Sequence, residues 1–260
     1  MVTKLLLVTY NRLNLTQQTL DNIFEVTKSP FEFIIVDNAS SDGTVDYLKS
    51  FFNQKTVNDF YKGAKIFCND KNLGIAVGRN QTLALAGDAP WYATLDNDVL
   101  LPDNWLEKCT QIMTIEPKFG MMGVNFEQTR YPLIDVGPYK VQNKKQGNLG
   151  TACMVFSKKV QKMIGYFNDR DYGLYGLEDA DYGVRARAVG FQLGYLEEQG
   201  VHLGEDANDQ GEYRKFKTEE HNRYLKIFYN NCNLYFRGGK TPYLSIDKSK
   251  YIFTDVMVFS

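Results

Sequence analysis

Several features that would assign a class at once are missing from the 260 residues of this chain. The four cysteines, Cys68, Cys109, Cys153 and Cys232, are scattered and form no CxxC pair. That excludes a zinc-ribbon or dithiol redox motif and leaves reduced thiols as the expectation. No apolar run approaches the ~20 residues of a membrane span. The N-terminal stretch 1–8 is apolar but short, and it passes into Thr9-Tyr10-Asn11-Arg12 with no small-residue cleavage site. It reads as a buried strand rather than a signal peptide, so a soluble, cytoplasmic protein is expected. The net charge of −1 gives no overall drive towards nucleic acid. No GxGxxG follows the first strand, and neither a P-loop nor a GxSxG is present. A Rossmann dinucleotide site, a P-loop kinase or ATPase, and a nucleophile-elbow hydrolase are therefore unsupported. No linker rich in Pro, Gly or Ser divides the chain, and no repeat is visible.

What the chain does contain is an alternation of apolar runs and helical periodicities. Strands are expected at 4–9, 31–36, 65–68 and in the run that starts at Trp91. Helices are expected between them at 13–26, 44–52 and 75–86, with short connections throughout. This is the pattern of a parallel sheet covered on both faces. Beyond Pro102 the spacing predicts a helix to about residue 115, strands at 120–126 and 150–156, and a short helix over 157–164. A helix opens at the acidic cluster 178–181 and runs to 189, and a strand follows at 191–196. Residues 128–147 lack periodicity and read as a long loop or an inserted hairpin. Past residue 205 one helix, 215–229, and a strand-like end, 251–259, are expected.

The chain is organised around Trp91-Tyr92-Ala93-Thr94-Leu95-Asp96-Asn97-Asp98-Val99, an apolar strand that ends in two carboxylates. Asp is depleted in strands and is almost never fully buried without a partner. Alternate side chains of an extended segment point the same way, so Asp96 and Asp98 repel unless something positive lies between them. A divalent cation that prefers oxygen is the simplest such partner. Carboxylates at the C-terminal end of a strand also sit where open α/β sheets bind ligands. Asp37 ends an apolar strand in the same way. Glu178, Asp179 and Asp181 open a helix, where acidic residues complement the dipole; Asp179 further follows a Gly-Leu-Tyr-Gly run able to open and close over a site. Arg12 and Arg79 are candidates to anchor phosphate. His202, between Gly200 and Gly204, reads as a residue outside the core, and His221 as a surface residue. Lys140, Lys144, Lys145, Arg214, Lys215 and Lys217 read as solvated charges, with a basic face for an anionic acceptor as the alternative.

In order and spacing these pieces resemble family-2 glycosyltransferases of the GT-A fold. The matching stretches are Val8-Thr9-Tyr10-Asn11-Arg12, Val36-Asp37-Asn38-Ala39-Ser40-Ser41-Asp42-Gly43-Thr44, and Asn72-Leu73-Gly74 with Arg79-Asn80. Leu95-Asp96-Asn97-Asp98 and Gly176-Leu177-Glu178-Asp179-Ala180-Asp181 with Arg185 complete the series. The resemblance implies a Rossmann-like, mostly parallel central sheet with helices on both faces. It implies a nucleotide-sugar-binding and catalytic domain over 1–204; residues 205–260, which the resemblance does not cover, are expected to pack on the same domain as an extension, with an acceptor-related role as one reading. By the same resemblance Thr9, Tyr10 and Arg12 line the nucleotide pocket, and Asp37 holds the base or ribose. Arg79 lies near the phosphates, and Asn72 and Gly74 join the donor-binding set. Asp96 and Asp98 match the DxD motif that holds Mn²⁺ or Mg²⁺, with Asp98 the more direct ligand and His202 a further one. Asp179 matches the catalytic base, with Glu178 as its neighbour and competitor for that role.

The chemistry agrees with this allocation. Transfer from a nucleoside-diphosphate sugar expels a diphosphate, whose growing charge a divalent cation offsets. One positioned carboxylate removes the acceptor hydroxyl's proton, and a single displacement inverts the anomeric carbon. A nucleotidyltransferase is the alternative enzyme, but the turn after the first strand lacks the glycines it needs. A non-catalytic sugar-nucleotide or glycan-binding module is the alternative outside enzymes.

Overall fold

Unbroken apolar runs make the central strands. β1 (Thr3–Thr9) and β2 (Phe31–Asp37) pair in parallel, with Leu5 opposite Phe33, Leu6 opposite Ile34 and Leu7 opposite Ile35. Successive side chains go to opposite faces, and both faces are covered. Leu5, Leu7, Phe33 and Ile35 enter one core cluster; Leu6 and Ile34 enter the other. A strand buried on both faces has no polar side to show, which is why the sequence does not alternate there. The computed structural model describes residues 1–150, 152–205, 211–247, 249 and 251–260.

The first half follows the expected alternation: β1, α1 (Leu13–Val26), β2, α2 (Thr44–Asn53), β3 (Tyr61–Cys68), α3 (Ile75–Ala86) and β4 (Trp91–Leu95). Each of α1 and α2 turns its apolar stripe to the sheet, with Leu20 and Ile23 buried in α1 and Leu48, Phe51 and Phe52 in α2. β3 starts earlier than residue 65, because Tyr61 and Ala64 are also buried against β2. After β4 come β5 (Val99–Leu100), α4 (Trp105–Ile115), β6 (Phe119–Asn125), β7 (Leu133–Val136), β8 (Tyr139–Lys144) and β9 (Cys153–Ser157). Then follow α5 (Lys158–Ile164), α6 (Glu178–Ala188), β10 (Gln192–Gln199), β11 (Val201–His202), α7 (Glu212–Phe236) and β12 (Met257–Phe259).

Among the described residues ten strands form one sheet in the order β12-β3-β2-β1-β4-β9-β6-β10-β8-β7. The run β3-β2-β1-β4 is parallel throughout; β9 then enters antiparallel between β4 and β6, and β10 is parallel to β6. The aperiodic stretch 128–147 is the inserted hairpin. Gly137, at φ 57°, turns β7 back onto β8, and β8 extends the sheet at β10. Its strands are half-exposed, so no strong apolar signal marks them. The strand-like end forms only over β12, which pairs antiparallel with the edge strand β3. Among the described residues no helix is long and apolar enough to cross a membrane.

Chain order against sheet order locates the crevice. The chain winds outward from β1 to β2 to β3, then returns to lay β4 on the other side of β1. The strand order therefore reverses between β1 and β4, and ligands of open α/β sheets bind at the carboxyl ends of strands beside such a reversal. Thr9 ends β1 and Asp96 follows β4 there.

Candidate functional site

A cavity of about 270 Å³ opens at that reversal. Tyr10, Arg12, Asn72, Arg79, Asp96, Asp98, Glu178, Asp179 and His202 line it, joined by Asn38, Asn97, Gly150, Ala152, Tyr175, Gly176 and Lys217. Most of the residues singled out from the sequence therefore meet in one place. Thr9, Asp37 and Gly74 stand behind the wall.

The DxD segment is fixed from both sides. Asn97 turns inward, and its amide donates to Thr16 Oγ1 on α1 at 2.9 Å. The backbone N–H of Val99 donates to Thr19 Oγ1 at 3.0 Å. With Asn97 tied down, Asp96 and Asp98 face the cavity. The short pair β5–β11 sets Val99 opposite His202, which brings the imidazole to the carboxylates from about a hundred residues further along the chain. Asp96, Asp98 and His202 each offer a ligand atom within 4.8 Å of the others. Gly204 leaves the room, since a Cβ there would overlap Asp98 Oδ2.

Charge around Asp98 is strongly coupled. The side chain is 5% exposed; Arg12 Nη1 lies 2.5 Å from Oδ2, and His202 Nε2 lies 3.6 Å from Oδ1. Burial and the neighbouring Asp96 push the Asp98 carboxyl up, against the pull of His202, Arg12 and Lys217. Arg12 reaches this position because Asn11 and Arg12 both adopt positive φ, 55° and 65°, in the turn before α1. Asn11 stabilises the turn, its N–H donating to Ser40 Oγ and its Oδ1 accepting from the N–H of Ser41.

Two carboxylates and an imidazole suit a hard or borderline divalent cation such as Mn²⁺ or Mg²⁺. His202 Nδ1 is buried without a hydrogen-bond partner, and Asp98 is a buried carboxylate that a cation would hold ionised. The residues present therefore fit such an ion.

Beside the cluster Arg79 joins two elements. Its guanidinium lies 3.0 Å from Asp96 Oδ1 and 2.5 Å from Glu178 Oε1, and both Arg79 and Glu178 are buried. Glu178 Oε2 has no partner. Burial pushes the Glu178 carboxyl up while Arg79 pulls it down, and burial is the larger influence. The carboxylates in turn hold the Arg79 guanidinium charged. Asp179 is half-buried on the cavity side, and its Oδ1 accepts from the N–H of Ala180 at 2.6 Å. Asp181 turns the other way. Fully buried, it pairs with Arg185 at 2.6 Å and accepts from the hydroxyls of Tyr172 and Tyr235. Three neighbouring carboxylates thus have three environments: one clamped, one facing the cavity, one structural.

Asp37 is fully buried, accepting from Thr9 Oγ1 at 2.7 Å and from the N–H and hydroxyl of Ser40 at 2.8 and 2.6 Å. It shapes the loop that carries Asn38 to the cavity. Gly74, at φ 88°, lets the start of α3 approach the 172–177 loop. Ile75 N–H donates to Leu174 carbonyl at 3.0 Å, and a Cβ on Gly74 would come within 2.9 Å of Leu174 Cα. Asn72 Oδ1 accepts from the Gly74 N–H.

Lys140 pairs with Asp135, Lys144 donates to the Tyr131 hydroxyl, and Lys215 lies 3.9 Å from Glu219. Of the basic residues read as solvated charges, Lys217 alone among those whose side chains are described lines the cavity. The side chain of Arg214 lies outside the described residues. Lys217 carries no distinguishing mark in the sequence, since nearby Lys215 looks identical in isolation.

Fold and site together define a GT-A-type α/β domain with a DxD segment at its crevice. The sequence model described as glycosyl transferase family 2 matches residues 5–172, more than half of the chain. The chain belongs to that family. Among solved structures, it is similar to a mannosyltransferase, PcManGT from Pyrobaculum calidifontis, in complex with GDP-Man and Mn²⁺. The TM-score is 0.67 at 17% identity, over 93% of this chain and 65% of that one. It is similar to TarS residues 1–349 from S. aureus in complex with UDP, at TM-score 0.56 and 15% identity, over 77% of this chain and 59% of that one. It is also similar to GalNAc-T7 with UDP, GalNAc and Mn²⁺, at TM-score 0.62 and 10% identity, over 91% and 56%. The chain thus spans less than two thirds of the length of each of these three structures.

Proposed function

We propose that the protein is an inverting glycosyltransferase that moves a sugar from a nucleoside-diphosphate sugar to an acceptor hydroxyl, assisted by a divalent cation. One observation carries the reading: a single cavity holds both the Asp96–Asp98–His202 cluster and Asp179. The nucleotide and Mn²⁺ ligands of the similar structures support it.

In this reading Asp98, Asp96 and His202 hold Mn²⁺ or Mg²⁺, which supplies the positive charge that a departing diphosphate needs. Tyr10, Arg12, Asn38 and Asn72 bind the nucleotide, while Thr9, Asp37 and Gly74 shape the loops that carry them. Arg79 ties the donor wall to α6 through Asp96 and Glu178. Asp179 is the general base. It lines the cavity and is half-exposed, whereas Glu178 is buried against Arg79 and Asp181 against Arg185. Proton removal by Asp179 from a hydroxyl aligned behind the anomeric carbon gives a single displacement with inversion. Residues 1–204 carry this machinery, and α7 closes one side of it.

The test is incubation with a panel of nucleotide sugars and Mn²⁺, with and without chelator. Chelator-sensitive release of nucleoside diphosphate is expected. Release of pyrophosphate would make the protein a nucleotidyltransferase, and release of neither, despite tight binding, a non-catalytic module.

A further inference from the structure

We propose that a pocket at the C-terminal end of α6, separate from the DxD cavity, is a phosphate-binding site in which Arg187 and Lys145 take a phosphate ester.

Arg187 stands apart from the other arginines withdrawn from solvent. Arg12, Arg79 and Arg185 each meet a carboxylate: Asp98 at 2.5 Å, Glu178 at 2.5 Å and Asp181 at 2.6 Å. Arg187 is partly buried as well, yet among the described residues no carboxylate pairs with it. Its Nε donates to the Gly147 carbonyl at 2.6 Å, and its Nη2 donates to the Lys144 carbonyl. A guanidinium has five N–H donors, so most of them have no partner among the described residues. Burial holds this guanidinium below its ordinary value, and no neighbouring acid pulls it back up. A cation taken partly out of water without a counter-charge is costly. An anion at the remaining donors offsets that cost.

The surroundings suit an anion. The pocket is about 450 Å³, and Lys145, Gly147, Gly190 and Phe191 line it with Arg187. No carboxylate is among its described lining residues. Gly147, at φ 73°, makes the turn whose carbonyl Arg187 holds, and the exposed Lys145 precedes it. Gly190 and Phe191 also line an adjoining depression with Lys118 and Lys159, and the Lys159 ammonium lies 5.7 Å from the Phe191 ring centroid. The acid in that depression, Glu116, accepts from the N–H of Lys118 at 3.2 Å. Four cations thus surround Gly190 and Phe191 against a single carboxylate, on a chain whose net charge is −1. A guanidinium beside an ammonium fits phosphate: the planar fork meets two oxygens side-on, and the ammonium supplies a point charge to a third. The two carbonyls already fix the guanidinium, so little ordering remains when an anion arrives.

This pocket and the DxD cavity have no lining residue in common. Arg187 lies eight residues beyond Asp179 on α6, about 12 Å along the helix axis. A phosphate held at Arg187 is therefore a different group from one held at the DxD segment, and the site stands whether or not the cavity binds a nucleotide sugar.

Two arms test the assignment on the full chain without divalent cation: NMR titration of ¹⁵N-labelled protein with glycerol 3-phosphate, and sedimentation with vesicles of phosphatidylglycerol or of phosphatidylcholine. Shifts of the Gly147 and Gly190 amides with glycerol 3-phosphate support the site and make its ligand a soluble phosphate ester. Sedimentation with phosphatidylglycerol but not phosphatidylcholine supports it and makes the ligand a lipid headgroup. In the arm that binds, Arg187→Gln should weaken affinity by about 10- to 100-fold, the range for a hydrogen bond to a charged group, and Arg187→Lys should restore part of it. Lys145→Gln, at an exposed position that the fold tolerates, should weaken it about 10-fold. Binding in neither arm, wild-type affinity in Arg187→Gln or Lys145→Gln, equal shifts with acetate, or displacement of the ligand by UDP with Mn²⁺ overturns the proposal.

Discussion

Arg79→Leu is the most informative perturbation of the site. Leucine keeps the apolar bulk of the stem and removes a guanidinium that lies 2.5 Å from Glu178 and 3.0 Å from Asp96. Asp96, about a third exposed, can turn to water; Glu178 cannot, because its side chain is 5% exposed and Oε2 already has no partner. Removing one member of a buried pair leaves an uncompensated charge, at a cost of about 3–5 kcal/mol. The carboxyl escapes part of that cost by taking up a proton. Burial already pushes it up in the wild type against the pull of Arg79, so without Arg79 it rises further. The sign follows from linkage. A carboxyl with a folded pKa above its unfolded value of about 4.3 binds more protons when folded, so stability falls as pH rises between the two values. Because the wild-type carboxyl is itself pushed up to about 8, both proteins lose stability in parallel below that pH, and urea denaturation should show the deficit of Arg79→Leu growing as pH rises from 8 to 10. Adding Glu178→Gln should recover most of it, since a neutral amide needs no counter-charge. A deficit below about 1 kcal/mol at pH 10, the range of an exposed pair, would refute the clamp. So would a deficit that does not change between pH 8 and pH 10.

Three further outcomes are expected. Asp179→Asn should slow single-turnover transfer by about 10²–10⁴-fold with little change in donor affinity; if Glu178→Gln or Asp181→Asn slows it more while binding donor normally, Asp179 is the wrong carboxylate. Asp98→Ala should abolish Mn²⁺-dependent nucleotide binding in calorimetry while circular dichroism shows a retained fold, and near-normal activity would remove Asp98 from the cation site. Asp37→Ala leaves Thr9 Oγ1 and the Ser40 N–H without their partner, so it should lower unfolding free energy by about 1–3 kcal/mol as well as weaken nucleotide binding; unchanged stability would contradict its structural role.

How much was legible in the sequence depended on whether a signal was local. β1, β2, α1 and α3 could be read because both-face burial and helical spacing are properties of the segment itself. The β7–β8 hairpin was left open because edge strands with one wet face carry little apolar pattern, and its turn rests on a single glycine at positive φ. β9 entering antiparallel beside β4 has no sequence mark at all. Its residues are as apolar as those of a parallel core strand, and direction is decided by the connections.

The candidate site divides along the same line, and the division says which residues chemistry alone can find. Asp96 and Asp98 stood out because two carboxylates ending an apolar strand are costly to bury together, a conflict visible in nine residues. His202 was visible only as an oddity between glycines; what brings it to Asp98 is the pairing of Val99 with His202, a contact across a hundred residues. The identity of Arg79 pointed to phosphate, yet its partners are carboxylates on two different elements. Composition could not separate Glu178 from Asp179, because both sit in the first turn of α6 and both complement its dipole. One residue of helix rotates a side chain by about 100°, which sends Glu178 to Arg79, leaves Asp179 facing the cavity and, two positions on, buries Asp181 against Arg185. The division of labour among the three carboxylates is a consequence of where α6 is pinned, and the pins are Arg79 and Arg185.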